Sequence, residues 1–455
     1  MRSSLQVLKE PRFLNNLRNI ALPIVAQNLI HFTVSAADTI MVGQLGEISL
    51  SAVSIANQLT FMYMVGAFGI AGGLGVLAAQ HWGSGNIQKV REIIAFMLRL
   101  VLGLTIVFSA LAFFLPEAVI GFIIRDEAVI AQGAVYLRLL SGGYLFFGFT
   151  TAIVGILRAA GIVKISVVTS IVALVVNISL NYILIFGHFG APAMGVRGAA
   201  IASVCARALE FLVLCIYLLK IEKKLGFRLK HLLAKSQGIG RHFIRYSSPV
   251  LANEALWAAG NFMLGVILGR LGREVVAAFS ISQVLAQFVG VFIFGVTAAS
   301  ATMIGNTIGA GNYAQAQRWA KALLLLSFLG GLFCALLVQI LRLPLISLYD
   351  ISPQAQIYAR QMTQIISVHV ILHAVALVGT LGVLRGGGDT KFAMCIDVLF
   401  IWLFALPLGA FAGLHFGLPI WLVFLFLRSE DLFKSALVAW RIGSGRWQKD
   451  ITQDP

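Results

Sequence analysis

The chain has 455 residues, 59% hydrophobic and only 11% charged, with a mean hydropathy of +0.92, whereas soluble domains hold roughly 45–50% apolar residues. Its 34 Lys/Arg and 18 Asp/Glu cannot cover the surface of a water-soluble protein of this length, so a soluble enzyme is excluded and a polytopic membrane protein remains. The formal charge of +16 and a pI near 10.0 would suggest a nucleic-acid partner in a soluble chain, but the positions of the basic residues argue against one.

A membrane-crossing helix needs about 20 apolar residues. Apolar runs bounded by charge, Gly or Pro predict twelve of them, near 17–40, 51–80, 93–115, 129–156, 162–187, 194–220, 242–270, 277–308, 318–342, 356–384, 390–413 and 416–443. The basic start followed by an apolar run has no A-x-A-type cleavage site and is expected to be a retained first helix. Basic residues gather in alternate connections: Arg2, Lys9, Arg12 and Arg18, then Lys89 and Arg91, then Lys220, Lys223, Lys224, Arg228, Lys230, Lys235, Arg241 and Arg245. The intervening connections hold few, such as Arg125, Arg197, Arg270 and Arg273. That bias predicts a cell (inner) membrane protein with both termini and the 220–245 connection in the cytoplasm. Cys205, Cys215, Cys334 and Cys395 lie in apolar runs without metal-ligand spacing and read as small buried hydrophobes, with no structural metal implied.

The two halves repeat at a separation of 226 residues: Pro23 falls on Pro249, V-G-Q-L-G (Val42 to Gly46) on L-G-R-L-G (Leu268 to Gly272), and G-S-G-N (Gly83 to Asn86) on G-A-G-N (Gly309 to Asn312). With one further residue of offset, G-I-L-R (Gly155 to Arg158) meets G-V-L-R (Gly382 to Arg385) and H-F-G-A-P (His188 to Pro192) meets H-F-G-L-P (His415 to Pro419). Six spans per half give both copies the same direction through the membrane. The expected fold is therefore all-α, with twelve transmembrane helices in two six-helix lobes related by a pseudo-twofold axis along the membrane normal. The lobes are predicted at residues 1–220 and 242–455, joined by a basic cytoplasmic connection at 221–241. Two matched lobes facing a cleft are the architecture of alternating access.

An ionisable group in hydrocarbon costs about 2.5–3.5 kcal/mol on insertion scales, so each intramembrane acid is a functional candidate until a partner is found. Asp38, in S-A-A-D-T-I-M-V-G, has no Lys or Arg within one helical turn; it is a candidate to exchange a proton or to ligate a small hard cation. Asn177 and Asn181 are four apart, so both amides share one helix face and can serve an ion, a substrate or interhelical hydrogen bonding. Arg207 with Glu210, Arg428 with Asp431, and Glu430 with Lys434 have local pairing distances along their helices. Glu254 and Asp397 have no basic neighbour in sequence and are the second-half candidates for a cation or substrate, together with Asn57 and Gln283. Pro23 and Pro249 weaken the backbone ladder at equivalent points and are candidate bends. The glycine string Gly69 to Gly75 lies within a span and lacks the Lys-Ser/Thr ending of a phosphate loop, so it reads as helix packing. No zinc-protease motif, nucleophile elbow or kinase signature is present, and no enzyme is expected.

Taken together, P-I-V-A-Q in the first helix, D-T-I-M-V-G-x-L-G beginning fifteen residues after Pro23, N-I-S-L-N-Y-I-L-I-F-G-H-F-G followed by G-V-R-G-A-A-I-A-S, the L-R-G-G-G-D-T segment and the R-I-G-S-G-R-W ending resemble the multidrug and toxic compound extrusion (MATE) family over essentially the whole chain. The resemblance implies export of cationic or amphipathic compounds in exchange for H+ or Na+, with no other cofactor, no nucleic-acid partner and a monomeric chain. It implies that Asp38 is the first-helix coupling aspartate and Asn177 the fifth-helix asparagine, with Asn181 where some members carry an aspartate and Ser203 roughly where many carry a threonine. Loss of that second acid, and the lack of an acid in the tenth helix, weigh toward H+ over Na+. Glu254 stands about one turn from the glutamate used by sodium-coupled members. The resemblance also implies that the first helix bends near Pro23 when Asp38 is protonated. The alternatives are Na+-coupled efflux and a flippase of similar architecture for a lipid-linked precursor; the latter should line its path with unpaired basic residues, whereas of Arg138, Arg207, Arg428 and Lys434 the last three have acidic neighbours in sequence.

Overall fold

The structure, a computed structural model, describes residues 2–233, 238–349 and 351–452. Lys235, counted in the basic connection, lies outside them. The described residues form helices and no strands.

Among them, ten helical stretches are long and apolar enough to cross a membrane: Pro11–Gly43, Glu47–Gly83, Ile87–Phe114, Lys164–Phe186, Val196–Ile221, Ile239–Arg270, Arg273–Gly309, Tyr313–Ser347, Pro353–Leu384 and Thr390–His415. These are the first to third and fifth to eleventh of the expected spans. The fourth is a bent pair, Glu127–Leu140 and Gly143–Ala159, meeting at 51°. The twelfth is broken into Ile420–Leu427 and Glu430–Gly443 around Arg428 and Ser429. Every predicted span thus has a helical counterpart. The predicted boundaries of the second and eighth spans fell short, because the helices continue past the apolar stretch to Glu47 and Gly83, and to Arg273 and Gly309.

The internal repeat extends to these boundaries residue for residue: Glu47–Gly83 and Arg273–Gly309 are the same element displaced by 226 positions. The turns repeat as well. Gly46 and Gly272 adopt φ of 102° and 125°, and Gly85 and Gly311 adopt φ of 78° and 75°, a region L side chains rarely visit. The third span starts from Asn86, whose side chain accepts a hydrogen bond from Lys89 N, and the bent fourth span from Asp126, which accepts from Ala128 N and Val129 N. Symmetry fails at the prolines. Pro23 lies inside the continuous 33-residue α-helix Pro11–Gly43. Pro249 falls in the first turn of the α-helix Ser248–Gly269, preceded by a π-helical turn at Phe243–Ser247, so its missing N–H interrupts no α-helical ladder there.

The chain divides into two compact units, one of Ala26–Ala78 and Asn86–Phe243, the other of Met1–Val25, Ala79–Gly85 and Ile244–Pro455. The first helix therefore passes from one unit to the other between Val25 and Ala26, two residues beyond Pro23. In the first unit the core packs around Tyr63, Ile120, Leu137 and Tyr144; the Tyr63 hydroxyl donates to Tyr144 O at 2.7 Å and lies 2.8 Å from Thr105 Oγ1. The basic connection is tied to the third span, where Arg91 Nε donates to Leu225 O at 2.6 Å and Arg99 Nη2 to Leu232 O at 2.9 Å. In the second unit Leu268, Leu285, Val338, Met362, Val423 and Phe424 form the core.

That second unit also holds a reciprocal helix crossing. A Cβ added at Gly83 would lie 2.1 Å from Asn306 O, and one added at Gly309 would lie 1.9 Å from Gln80 O. Gln80 and Asn306 are themselves equivalent in the repeat, so each copy's glycine admits the backbone of the other copy. Close approach of this kind is how helices associate where water offers no hydrophobic drive. Gly83→Ala and Gly309→Ala should each destabilise the purified protein by about 1–3 kcal/mol. The double variant should fall by less than the sum, because either methyl already opens the shared crossing. Gly75→Ala, with nothing within 4 Å of its added Cβ, should leave the melting temperature unchanged.

Candidate functional site

The fifth span, Lys164–Phe186, is turned inside out relative to a soluble helix. Its buried face is Ser166, Thr169, Ser170, Ala173, Asn177, Asn181 and Ile185, at the spacing of one helical stripe, while Val168, Ile171 and Val175 are exposed. Small and polar side chains therefore face protein and branched apolar ones face the surroundings, as expected where the solvent is hydrocarbon.

This stripe meets the first span. Asn181 Nδ2 donates to Asp38 Oδ1 at 2.5 Å and to Asn177 Oδ1 at 3.2 Å. Asn177 and Asn181 are 2% and 0% exposed, whereas Asp38 is half-buried. No described ion pair involves Asp38; its described side-chain partner is a neutral amide. The buried Asn181 Oδ1 has no hydrogen-bond partner among the described residues, so an acceptor oxygen sits beside the carboxylate. Three of the four expected coupling residues are thus one contact group. Ser203 and Asn57 make no described hydrogen bond.

A second polar layer lies along the same two helices. Gln27 Nε2 is 3.5 Å from Ser170 Oγ, which donates to Glu210 Oε1 at 3.3 Å, and Arg207 Nη1 closes on Glu210 Oε2 at 2.8 Å. The local Arg207–Glu210 pair is as the sequence suggested, with the guanidinium also 5.2 Å from the Phe147 ring centre. Arg138, which has no acidic neighbour in sequence, pairs with Glu117 at 2.9 Å.

The second-half candidates differ from expectation. Glu254, isolated in sequence, is met by Arg385 Nη1 at 2.7 Å. Asp397 is held by Lys434 Nζ at 3.3 Å and accepts from Asn253 Nδ2 at 3.1 Å. Neither carboxylate lacks a cation, because spans distant in the chain supply one. The local pairs expected in the twelfth span do not form either: Arg428 Nη2 donates to Gln283 Oε1 at 3.0 Å, and Lys434 turns to Asp397 and, at 3.9 Å, to Asp431. The break at Arg428–Ser429 removes the continuous helix that the Arg428–Asp431 spacing assumed, whereas Glu430 and Lys434 share the unbroken helix Glu430–Gly443 and Lys434 is drawn to Asp397 instead. Asp431 is instead contacted by His369 and His373 of the tenth span, at 2.8 and 2.7 Å.

Sequence reasoning passed over Arg385 and the two histidines. Arg385 was marked by the G-I-L-R/G-V-L-R repeat, and the histidines by the four-residue spacing in H-V-I-L-H.

The MatE family profile matches residues 23–183 and 249–411, one block in each half. Over 441 residues the chain is 26% identical to a probable multidrug resistance protein NorM of Thermotoga maritima, covering 96% of this chain and 94% of that one. It is 25% identical over 412 residues to a multidrug resistance protein MdtK of Photorhabdus laumondii, covering 90% and 88%. Among solved structures, the Vibrio cholerae MATE transporter VcmN in its bent form superposes with a TM-score of 0.85 at 17% identity, covering 98% of each chain. A MOP superfamily transporter from Pyrococcus furiosus superposes with a TM-score of 0.85 at 18% identity, covering 97% and 98%.

The Glu254–Arg385 contact yields a direct test. Arg385→Leu strands a carboxylate in a membrane span and should destabilise by about 3–5 kcal/mol. Adding Glu254→Gln should recover much of that loss, a coupling read from a double-mutant cycle of melting temperatures. Additive losses would show that the two groups do not depend on each other.

Proposed function

The chain belongs to the multidrug and toxic compound extrusion family, whose members are membrane transporters and not enzymes, and from that premise we propose that it exports cationic or amphipathic compounds by alternating access in exchange for protons bound at Asp38. The observation that carries this reading is the Asp38–Asn181–Asn177 contact, in which the described hydrogen-bond donor to an intramembrane carboxylate is an uncharged amide.

An arginine at that position would hold the carboxylate ionised permanently and leave it nothing to exchange. An amide instead orients one oxygen and leaves the group free to take either a proton or a cationic cargo. Asn177 holds Asn181 in turn, so the carboxylate is aimed by a buried pair. Protonation removes the attraction for cargo, cargo leaves, and return of the empty carrier releases the proton. Exchange of one proton for one monovalent cation moves no net charge, so the pH gradient is the drive, and each pH unit, worth about 1.4 kcal/mol, sustains about a tenfold ratio of cargo. Pro23, which removes one backbone hydrogen bond inside the continuous helix Pro11–Gly43, is the place where that helix bends in this cycle. One chain carries both copies of the repeat, which makes a monomer sufficient, and the alternation of basic connections supports cytoplasmic termini in the cell membrane.

The unpartnered Asn181 Oδ1 favours a second reading, since a carboxylate and amide oxygens also suit Na+. Uptake of a fluorescent cation into inverted vesicles separates the two. A pH gradient alone should drive uptake, a sodium gradient alone should not, and Asp38→Asn should reduce driven uptake to background while inserting at normal levels. Full uptake by the Asp38→Asn protein would remove the carboxylate from the mechanism, and uptake on the sodium gradient alone would favour the second reading.

A further inference from the structure

His369 and His373 lie four residues apart in the tenth span, so both rings project from one face of the helix, and they stack with centroids 5.3 Å apart. Across from them, the second helix of the broken twelfth span presents Asp431. His369 Nε2 and His373 Nδ1 both approach the same carboxylate oxygen, Oδ2, at 2.8 and 2.7 Å. His373 is placed to hydrogen-bond to it. His369 Nε2 is buried and lies out of line for a hydrogen bond to any described group. Two ring nitrogens crowding one oxygen, one of them without hydrogen-bond geometry, is a poor hydrogen-bond arrangement and a good metal-ligand set.

We propose that His369, His373 and Asp431 bind a borderline divalent transition-metal ion, of the class of Zn2+, Co2+ and Ni2+, linking the tenth span to the second helix of the twelfth. The three ligand atoms lie within 4.8 Å of one another, a range that includes the about 3.3 Å spacing of ligands around a tetrahedral ion with bonds of about 2.0–2.1 Å. Two imidazoles select a borderline metal over Mg2+, Ca2+ or Na+, which prefer oxygen. The surrounding charges are compatible with a cation. Lys434 approaches the other oxygen of Asp431, at 3.9 Å, and is claimed more closely by Asp397 at 3.3 Å. Arg428 is turned to Gln283. Glu430 is buried, with Oε2 unpartnered among the described residues. Asp431, Asp397 and Glu430 thus lie near two basic side chains, Lys434 and Arg428, of which Lys434 alone contacts a carboxylate among the described residues. Three protein ligands leave at least one coordination position for water. Such an ion would be held at the break of the twelfth span, where no continuous α-helix fixes Glu430–Gly443 relative to its neighbours.

This site is separate from Asp38 and does not depend on the transport reading. The full-length protein, purified in detergent and stripped with a chelator, should bind Co2+ at one equivalent with visible absorption bands, and Zn2+ should raise its melting temperature. His369→Gln and His373→Gln should each weaken Co2+ binding at least tenfold and abolish the Zn2+ shift, while replacing Cys205 and Cys395, which are exposed in the structure and not buried as their apolar runs suggested, with Ser should change neither. X-ray absorption of the Co2+-loaded wild-type protein requires no variant and should show a nitrogen and oxygen shell with imidazole scattering. Lack of stoichiometric binding, unchanged binding in both histidine variants, or a sulfur shell would overturn the proposal.

Discussion

A carboxylate inside hydrocarbon needs a cation, a proton or several hydrogen-bond donors, since the ionised group alone is too costly to keep there. In the second half three carboxylates meet that requirement with basic or imidazole partners, Glu254 with Arg385, Asp397 with Lys434 and Asp431 with two histidines, while the buried Glu430 makes no described ion pair. Glu210 in the first half has Arg207. Asp38 is held differently, by an amide from the fifth span. A group compensated by a neutral donor can be titrated or exchanged, whereas one locked to a guanidinium cannot, and the functional reading follows from that contrast.

The repeat supplies the scaffold and divergence supplies the chemistry. Helix ends and left-handed glycines recur at 226-residue separation in both halves, because turn geometry and close packing restrict what substitution can do there. The reciprocal approach of Gly83 to Asn306 and of Gly309 to Gln80 shows the same restriction acting on both copies at once. The acids differ between the halves, and the prolines keep their matched positions but not their helical context. Pro23 lies within an α-helix and Pro249 at the start of one.

Much of this architecture was readable beforehand, since twelve apolar runs and a long-period repeat are large signals that depend on no single residue. The Asp38 group was partly readable: Asn177 and Asn181 share a face through helical periodicity, and a charge in an apolar run stands out. Their contact with the first span required the fold. Pairings between spans were illegible for the same reason. Arg385 lies 131 positions from Glu254 and Lys434 lies 37 from Asp397, so a search for partners along one helix misses both. It also proposed an Arg428–Asp431 pair that the break in the twelfth span prevents and a Glu430–Lys434 pair that is lost because Asp397 of another span takes Lys434. Periodicity gives little help in such helices, where the face toward protein and the face toward lipid are both largely apolar.

The account stands on one carboxylate being shared by proton and cargo. The most direct measurement is the dissociation constant of a fluorescent cationic substrate for the purified protein as a function of pH. Competition at Asp38 predicts weakening that approaches about tenfold per pH unit on acidification, with a flat, weak profile for Asp38→Asn. Affinity independent of pH, or an Asp38→Asn profile that follows the wild type, would contradict it.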